Sequence, residues 1–337
     1  MVTLEDIRQA QARLQGVAVR TPLLEFQLNE TGEGAAARKL FLKLENLQPI
    51  GAFKIRGAYN KIASLPAKER ERGVITYSSG NHGQGVAYAA RALGIKATVV
   101  MPKASPAIKR DAVAALGAEI VLVGPSSLER QHRAEELAQK NGYFIVPPFN
   151  DEQIIAGQGT IGLEILEDLP DVETVLVPVG GGGMISGVAT AIRMSKPSVK
   201  VIGVEPELAA DAQASLHDGK IVQKPAEEVS ETIADGLRTQ SVGPINFEHI
   251  RIYVDEIVTV SEAEIREAVR RLAANPKTLA EPSGAVTMAA FLFHKNQLPN
   301  TNINVAIVSG GNIEPKILQE IQRETPQRIP LHDAVKT

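Results

Sequence analysis

Residues 73–101 read GVITYSSGNHGQGVAYAARALGIKATVVM, and this stretch predicts the fold of the chain. Val74–Tyr77 has the length and character of a buried strand, the segment from His82 to Leu93 has helical spacing, and Ala97–Met101 is a second apolar run. Strand, helix and strand in this order indicate a βαβ unit whose two strands are parallel and whose connection is right-handed.

The same alternation continues through the rest of the chain. Residues 105–116 predict a helix, 119–123 a strand, the polar segment to about Lys140 a helix, and 143–146 a strand. Three glycines stand where left-handed C-caps are needed, just after successive helices: Gly94, Gly117 and Gly142. The series therefore predicts a parallel sheet that ends before the Pro147-Pro148 pair.

A second α/β set lies outside this stretch. It comprises predicted helices at 3–15, 160–169, from the glycines to about 194, and 262–274, and predicted strands at 39–44, 174–179, 199–204 and 304–308. We expect an α/β protein with two open, mostly parallel twisted sheets flanked by helices. Residues 1–72 and 147–325 form the predicted large domain, 73–146 the small domain, and 326–337 a tail.

The composition excludes several classes of protein. The 337 residues are 44% hydrophobic and 22% charged, with a net charge of -3, which is ordinary for a globular enzyme and does not indicate a nucleic-acid partner. The absence of cysteine excludes a disulfide scaffold, a zinc-thiolate site and a cysteine nucleophile. The acidic N-terminus and the lack of a long apolar stretch predict a cytoplasmic protein with no membrane partner.

Lys54 stands between two bulky apolar residues in GAFKIRGA, residues 51–58. A cation in apolar surroundings either finds a partner or loses its proton. A lysine of lowered pKa is a nucleophile suited to a Schiff base with a carbonyl cofactor. The alternative is a surface lysine whose methylene stem covers its apolar neighbours. Taken alone, the residue favours this alternative, and only its combination with the motifs below favours the nucleophile.

Four consecutive glycines, Gly180, Gly181, Gly182 and Gly183, follow an apolar strand and begin a helix. Glycine lets the backbone approach a ligand closely, and N–H groups at a helix N-terminus bind phosphate. A tight strand-to-helix turn is one alternative, although a turn needs fewer glycines. A nicotinamide dinucleotide site is another, because Glu205 ends the next strand where a ribose-binding acid is found. The strict G-x-G-x-x-G spacing is nevertheless not met.

Polar residues follow three further strands. Ser78-Ser79-Gly80-Asn81-His82 lies at the carboxyl end of a parallel strand, where open α/β sheets bind ligands. A helix cap is the alternative for the serines, and His82 alone is more typical of a structural histidine. Ser309-Gly310-Gly311-Asn312 offers a hydroxyl at the corresponding edge of the second sheet. Glu205 and Asp211 suit either a solvated acidic loop or a hard cation such as Mg²⁺ or Ca²⁺.

In combination, these motifs resemble the fold-type II pyridoxal phosphate enzymes, whose fold is like that of the tryptophan synthase β subunit. The resemblance covers about residues 5–320 and is strongest to the branch of serine/threonine dehydratases (ammonia-lyases) and serine racemases. The matching segments are GAFKIRGA at 51–58, SSGNHGQ at 78–84, AGQGT at 156–160, GGGGM at 180–184, TIADG at 232–236 and SGGN at 309–312.

The resemblance implies roles for individual residues. Lys54, preceded by Phe53, matches the lysine that binds pyridoxal 5'-phosphate covalently, Asn81 the partner of the cofactor's 3-hydroxyl, and Ser309 the partner of the ring nitrogen. The remaining matches are to the phosphate-binding loop (Gly180, Gly181, Gly182, Gly183 and Met184), the loop that binds the substrate carboxylate (Ser78, Ser79, Gly80, Asn81 and His82), and a divalent-cation site (Glu205, the carbonyl of Ala209, and Asp211).

The implied activity is α,β-elimination of L-threonine or L-serine to 2-oxobutanoate or pyruvate and ammonia, by a homodimer acting on a small amino acid. Ser79 matches the second acid/base of serine racemases, so a serine racemase with side dehydratase activity, or a 3-hydroxyaspartate ammonia-lyase, stays open. Ala52 replaces a serine usual in the family. Gln48-Pro49-Ile50 replaces the segment used for nucleotide activation, so ATP activation is not expected. The chain ends soon after Asn312, so isoleucine feedback is not expected.

Overall fold

The computed structural model describes residues 1–27, 38–78, 80–105, 107–124 and 127–324, and the predicted tail lies outside these ranges. Within them the strands are β1 Leu23–Phe26, β2 Lys39–Leu44, β3 Val74–Tyr77, β4 Ala97–Pro102, β5 Glu119–Val123, β6 Phe144–Ile145, β7 Thr174–Pro178, β8 Lys200–Pro206, β9 Glu256–Val260 and β10 Ile303–Val308. The α-helices are α1 Leu4–Leu14, α2 Lys54–Ser64, α3 Ala67–Arg72, α4 Asn81–Ala92, α5 Ala107–Ala115, α6 Ser127–Asn141, α7 Glu152–Asp168, α8 Gly183–Ser195, α9 Asp211–Asp218, α10 Ala226–Ser230, α11 Pro244–Tyr253, α12 Glu262–Leu272, α13 Pro282–Phe293 and α14 Pro315–Arg323.

The strands form two sheets, and the expected fold class is confirmed. The larger sheet has the order β1-β2-β10-β7-β8-β9 and the smaller the order β5-β4-β3-β6. All neighbouring pairs are parallel except β1 and β2, an antiparallel edge pair that the sequence did not predict. All strands of the smaller sheet lie between residues 73 and 146. The domain boundaries themselves stay a prediction.

The turns of the smaller sheet follow the glycines. Gly94, Gly117 and Gly142 have φ of 67°, 84° and 74°, the left-handed conformation that only glycine adopts without strain. They end the helices after Ala92, Ala115 and Asn141. Each helix therefore stops at the point where the chain must turn back to begin the next parallel strand.

Helix α7 begins before the predicted start at residue 160. Asp151 caps it, since its carboxylate accepts hydrogen bonds from the backbone N–H groups of Gln153 and Ile154. A Cβ atom added to Gly157 would lie only 2.7 Å from the Cα atom of Gly57 in α2. The glycines that weaken the helical pattern are thus needed for a close crossing of α2 and α7, and this crossing places α2, whose first residue is Lys54.

Four buried charges lie beneath α2. The guanidinium of Arg56 donates hydrogen bonds to both carboxylate oxygens of Glu45 and of Glu164. The ammonium of Lys43 donates to Glu164 at 2.6 Å and to the carbonyl of Thr21 at 2.7 Å. Two cations and two carboxylates balance in charge, and they connect β2, α2 and α7 at the base of the site.

Helix α13 is the most apolar of the long helices near the site. It packs against β7, β8, β9 and β10, so nearly all of its residues are buried. Glu281 precedes it at the N-cap position and is itself buried. Among the described residues, α13 and the other helices lack the combination of length and apolar character that crossing a membrane requires.

Candidate active site

Lys54 is the first residue of α2, and its side chain is partly buried. Its Nζ atom donates a hydrogen bond to the carbonyl of Pro148 at 2.9 Å and lies 5.1 Å from the centroid of the Phe53 ring. Burial lowers the pKa of the ammonium to about 8. The unprotonated amine, which a nucleophile or a base requires, is therefore far more populated near neutral pH than in an ordinary lysine.

A short backbone pairing brings Lys54 to the loop after β10. Ala52 and Gly310 form an antiparallel bridge, and the N–H of Phe53 donates to the carbonyl of Ser309 at 3.1 Å. The N–H of Gly311 donates to the carbonyl of Gly51 at 2.9 Å. Ser309, predicted from a different part of the chain, consequently lies beside the Lys54 loop.

Asn81, the first residue of α4, has its side-chain amide held at both atoms. Its Nδ2 donates to Glu281 Oε1 at 2.6 Å, and its Oδ1 accepts from Asn312 Nδ2 at 2.8 Å. Asn312 Nδ2 also donates to the carbonyl of Ile50 at 2.9 Å. This pattern fixes the orientation of the amide, and Nδ2 carries a second hydrogen that can be donated to a ligand.

Glu281 is an acid with an unusual environment. Burial, and secondarily the charge of Asp235, raises the pKa of its carboxyl to about 7. The hydrogen bond from Asn81 works in the opposite direction, since it stabilises the carboxylate. The protonation state of Glu281 is therefore balanced near neutral pH, at a residue that contacts a predicted cofactor ligand.

The four glycines form a tight loop before α8. Gly182 has a φ of 91°, and the helix begins at Gly183. A Cβ atom added to Gly181 would approach the ring of Phe149 to under 3.0 Å. The carbonyl of Gly181 accepts from the N–H of Gly243 at 3.1 Å. The loop thus presents the N–H groups of a helix N-terminus, an arrangement suited to phosphate.

The predicted substrate loop is described except at Ser79, which lies outside the described residues. Ser78 Oγ accepts from the N–H of Gly80 at 3.3 Å, and α4 begins one residue later. The side chain of His82 donates from Nε2 to the carbonyl of Val146 at 3.1 Å. Burial, and secondarily the charge of Lys54, lowers its pKa to about 3, so the ring is neutral. A role of this loop in substrate binding stays a prediction.

Glu205, near the end of β8, and Asp211, the first residue of α9, are both fully buried. The carboxylate of Glu205 accepts from the N–H groups of Ala212 and Gln213. Neither oxygen of Asp211 has a hydrogen bond of normal geometry among the described residues, although the backbone N–H groups of Asp211 and Val242 are near enough to favour its carboxylate form. Burial raises the pKa of both carboxyls, that of Asp211 to about 7. The described part of the chain includes no group of three or more His, Cys, Asp and Glu side chains arranged to hold a metal. A cation here would also need the predicted Ala209 carbonyl and water.

The comparisons with known proteins agree with this geometry. A family model described as "Pyridoxal-phosphate dependent enzyme" matches residues 14–310. The chain belongs to this family.

The chain is also similar to individual members of the family. It is 48% identical to L-threonine ammonia-lyase of Thermotoga maritima, over 95% of this chain and 78% of the relative. Among solved structures, a threonine deaminase of T.th. has a TM-score of 0.86 at 43% identity, covering 93% of this chain and 99% of that one. Maize serine racemase has a TM-score of 0.87 at 37% identity, covering 95% and 96%. These results decide against a dinucleotide-dependent oxidoreductase.

The residues of this pyridoxal-phosphate enzyme fit the cofactor on three counts. A Cβ atom added to Gly181, Gly182 or Gly183 would lie 3.0 Å or less from a neighbouring atom, so the loop that is expected to bind phosphate requires glycine there. Among the described residues, the one hydrogen bond of the Ser309 hydroxyl is a long contact of 3.5 Å with the carbonyl of Ser283, so the hydroxyl remains able to bind a ring nitrogen. Lys54 is a buried amine of lowered pKa. The individual assignments stay predictions, although the structure brings Lys54, Asn81 and Ser309 into one connected set of contacts.

The sequence did not predict three residues that contribute to the site. Pro148 accepts the hydrogen bond from Lys54, Phe149 packs against the glycine loop, and Glu281 accepts from Asn81. Pro148 acts through its backbone carbonyl and Phe149 through its shape, so neither residue type indicates a function. The sequence does show that Glu281 is an acid directly before the proline that begins α13. This pattern is typical of any helix start and does not indicate a functional residue.

Proposed function

We propose that the protein is a pyridoxal phosphate-dependent L-threonine ammonia-lyase that also accepts L-serine. The observation that carries the proposal is the 48% identity, over 95% of this chain, to a relative named L-threonine ammonia-lyase. The products are 2-oxobutanoate from threonine, pyruvate from serine, and ammonia from both. A small amino acid is the substrate class.

The cofactor, when bound, withdraws electrons from the α-carbon of the substrate. Lys54 Nζ takes the α-proton, and burial supports this role because it favours the neutral amine. Asn81 presents one hydrogen of its fixed amide to the cofactor oxygen. Ser309 offers a neutral hydroxyl, rather than a carboxylate, to the ring nitrogen. A ring nitrogen held by a hydroxyl would be less protonated than one held by an acid, which would favour loss of the β-hydroxyl.

The rest of the site holds the charged ends of the reactants. The glycine loop and the start of α8 bind the cofactor phosphate, and Ser78 to His82 at the start of α4 bind the substrate carboxylate, since both helix N-termini favour anions. Asp211, whose two oxygens have no hydrogen bond of normal geometry among the described residues, together with Glu205 and the Ala209 carbonyl, holds a divalent cation. The homodimer and the cytoplasmic location stay predictions.

The test is the visible absorption band of the lysine-bound cofactor, followed by product analysis. Lys54→Ala should lose the band and the production of 2-oxo acid. Lys61→Ala is a matched control on the same helix, since Lys61 pairs with Asp151 at 2.6 Å and should leave the band intact. A wild-type protein that shows the band but releases no 2-oxobutanoate from L-threonine would refute the proposed activity.

Serine racemase is the second candidate, supported by the similarity to the maize enzyme at 37% identity. Racemisation needs a second acid/base opposite Lys54, and Ser79 is the residue proposed for it. Ser79→Ala should abolish racemisation and leave elimination from L-serine largely intact. Chiral analysis of serine recovered during turnover decides, because unchanged configuration excludes racemase activity. Assays of D-serine and 3-hydroxyaspartate beside L-threonine complete the substrate comparison.

A further inference from the structure

A short segment of chain, residues 146–150, leaves the smaller sheet after β6 and leads to α7, and we call it the crossing segment. Its second and third residues are Pro147 and Pro148, which have no backbone N–H group and whose rings fix φ. The backbone bond that joins it to the smaller sheet runs from the N–H of Val146 to the carbonyl of Ile75 at 2.9 Å. At the prolines, the carbonyl oxygens are therefore the backbone groups through which this stiff segment can be held.

Side chains from three elements bind the carbonyl oxygens of the crossing segment. The carbonyl of Val146 accepts from Thr76 Oγ1 of β3 at 2.8 Å and from His82 Nε2 of α4 at 3.1 Å. The carbonyl of Pro148, two positions later, accepts from Lys54 Nζ of α2 at 2.9 Å. Because the proline rings restrict the backbone between the two carbonyls, a movement of the first is passed on to the second. His82 thus helps to set the position of the oxygen that Lys54 contacts.

The imidazole of His82 is suited to a fixed position. The residue is only 3% exposed, and Val146 and Thr76 are fully buried. A carbonyl oxygen can only accept, so Nε2 carries the hydrogen of the neutral ring. The same residue belongs to the first turn of α4, directly after the loop proposed to bind the substrate carboxylate. One hydrogen bond therefore connects that loop to the segment that contacts Lys54.

We propose that His82 is a positioning residue for Lys54: its bond to the Val146 carbonyl fixes the crossing segment, whose Pro148 carbonyl then holds the free amine of Lys54. The amine is free before it binds the cofactor and again when the substrate has replaced it there. The inference rests on the proposed role of Lys54 in binding the cofactor. A carbonyl stabilises an ammonium donor more than a neutral amine, so a displaced Pro148 carbonyl should lower the pKa of Lys54 further.

The test compares two side chains of similar size at position 82. His82→Leu removes the donor, whereas His82→Gln keeps an N–H group at about the reach of Nε2. In His82→Leu, the midpoint of the Lys54 titration should fall by about 0.5–1 pH unit, the difference between a charged and a neutral hydrogen bond. In His82→Gln it should stay at the wild-type value. A merely structural role lowers the Tm, or the fraction of protein that binds cofactor, and leaves the midpoint unchanged.

The measurement is the rate at which the whole chain, stripped of cofactor, forms the visible band with added pyridoxal 5'-phosphate, followed against pH. This rate depends on the neutral fraction of the Lys54 amine. Titration of the cofactor itself is common to all variants, so the differences between variants report the protein. The measurement needs no turnover, so it decides the inference even if L-threonine is not a substrate. Thr174→Val is the matched control, since it removes a buried hydroxyl, 2.9 Å from Thr301 Oγ1, at the amino end of β7.

A lower midpoint in His82→Leu, with wild-type midpoints in His82→Gln and Thr174→Val, supports the proposal. An unmoved midpoint in His82→Leu, or equal shifts in His82→Leu and His82→Gln, overturns it. If His82→Leu does not fold, His82→Asn decides, because its amide is polar but too short to reach the Val146 carbonyl. A lower midpoint in that variant supports the positioning role, and a wild-type midpoint overturns it.

Discussion

Replacing Gly181 by alanine is the sharpest test of the phosphate-binding loop. A Cβ atom at this position would lie under 3.0 Å from the ring of Phe149, closer than real Cβ contacts allow. Either the ring moves or the loop does. Because Phe149 follows Pro148, whose carbonyl accepts the hydrogen bond from Lys54, both responses disturb the cofactor site.

The magnitude follows from the cost of overpacking. Forcing an extra methyl group into a close-packed site typically costs about 1–3 kcal/mol. If the loop relieves the clash by moving away from its cofactor-binding position, the whole cost appears as weaker binding. We therefore expect the dissociation constant of pyridoxal 5'-phosphate to rise by about 5- to 150-fold in Gly181→Ala.

The assay is a titration of apoenzyme with pyridoxal 5'-phosphate, followed by visible absorption. Gly180→Ala is the matched control in the same loop, since a Cβ there would meet its nearest atom, Leu237 Cα, at 3.3 Å. Gly183→Ala is intermediate, because its nearest atom, Phe149 Cβ, would lie at 3.0 Å. Equal affinities for wild type and Gly181→Ala, or equal losses in Gly180→Ala and Gly181→Ala, would show that the steric argument is wrong.

Two further predictions concern stability. Arg56→Met leaves the buried carboxylates of Glu45 and Glu164 short of positive charge and should lower the free energy of unfolding by about 3–5 kcal/mol, measured by denaturant titration. Arg251→Met, at a half-exposed pair, should change it by less than about 0.5 kcal/mol, and equal effects would contradict the argument. The raised pKa of Asp211 means that the folded state holds this proton more tightly than the unfolded state, so metal-free protein should lose stability as pH rises from 3.8 to about 7. Asp211→Asn should reduce this dependence of stability on pH. Mg²⁺ or Ca²⁺ should raise the Tm of wild type but not of the variant. Identical profiles of stability against pH for wild type and Asp211→Asn would remove Asp211 from the cation site.

The alternation of strands and helices could be predicted from the sequence because it depends on residues that are close together in the chain. Apolar runs predicted β3, β4 and β5 to within a residue. The glycines between them marked the helix ends correctly, because Gly94 and Gly117 have the positive φ that a turn out of a helix requires. The antiparallel edge strand β1 could not be predicted from the sequence in this way. Its four residues carry no pattern of their own, and their pairing with β2 is a tertiary contact.

The start of α7 could not be predicted from local residues alone. Its glycines lower helix propensity, so the pattern indicated a start at residue 160, but Asp151 caps a helix that begins at Glu152, and close packing on α2 stabilises it. Packing between distant segments outweighed a local preference there.

By itself, the sequence determined the α/β class, the glycine loop, and the residues proposed to carry the chemistry, because each is encoded in a short contiguous motif. Only the tertiary structure decided what surrounds them. The backbone carbonyl of Pro148 at Lys54, and the carboxyl of Glu281 at Asn81, come from segments 94 and 200 residues away. Burial, which lowers the pKa of Lys54 and raises that of Glu281, is likewise a property of the assembled sheets and of no single segment.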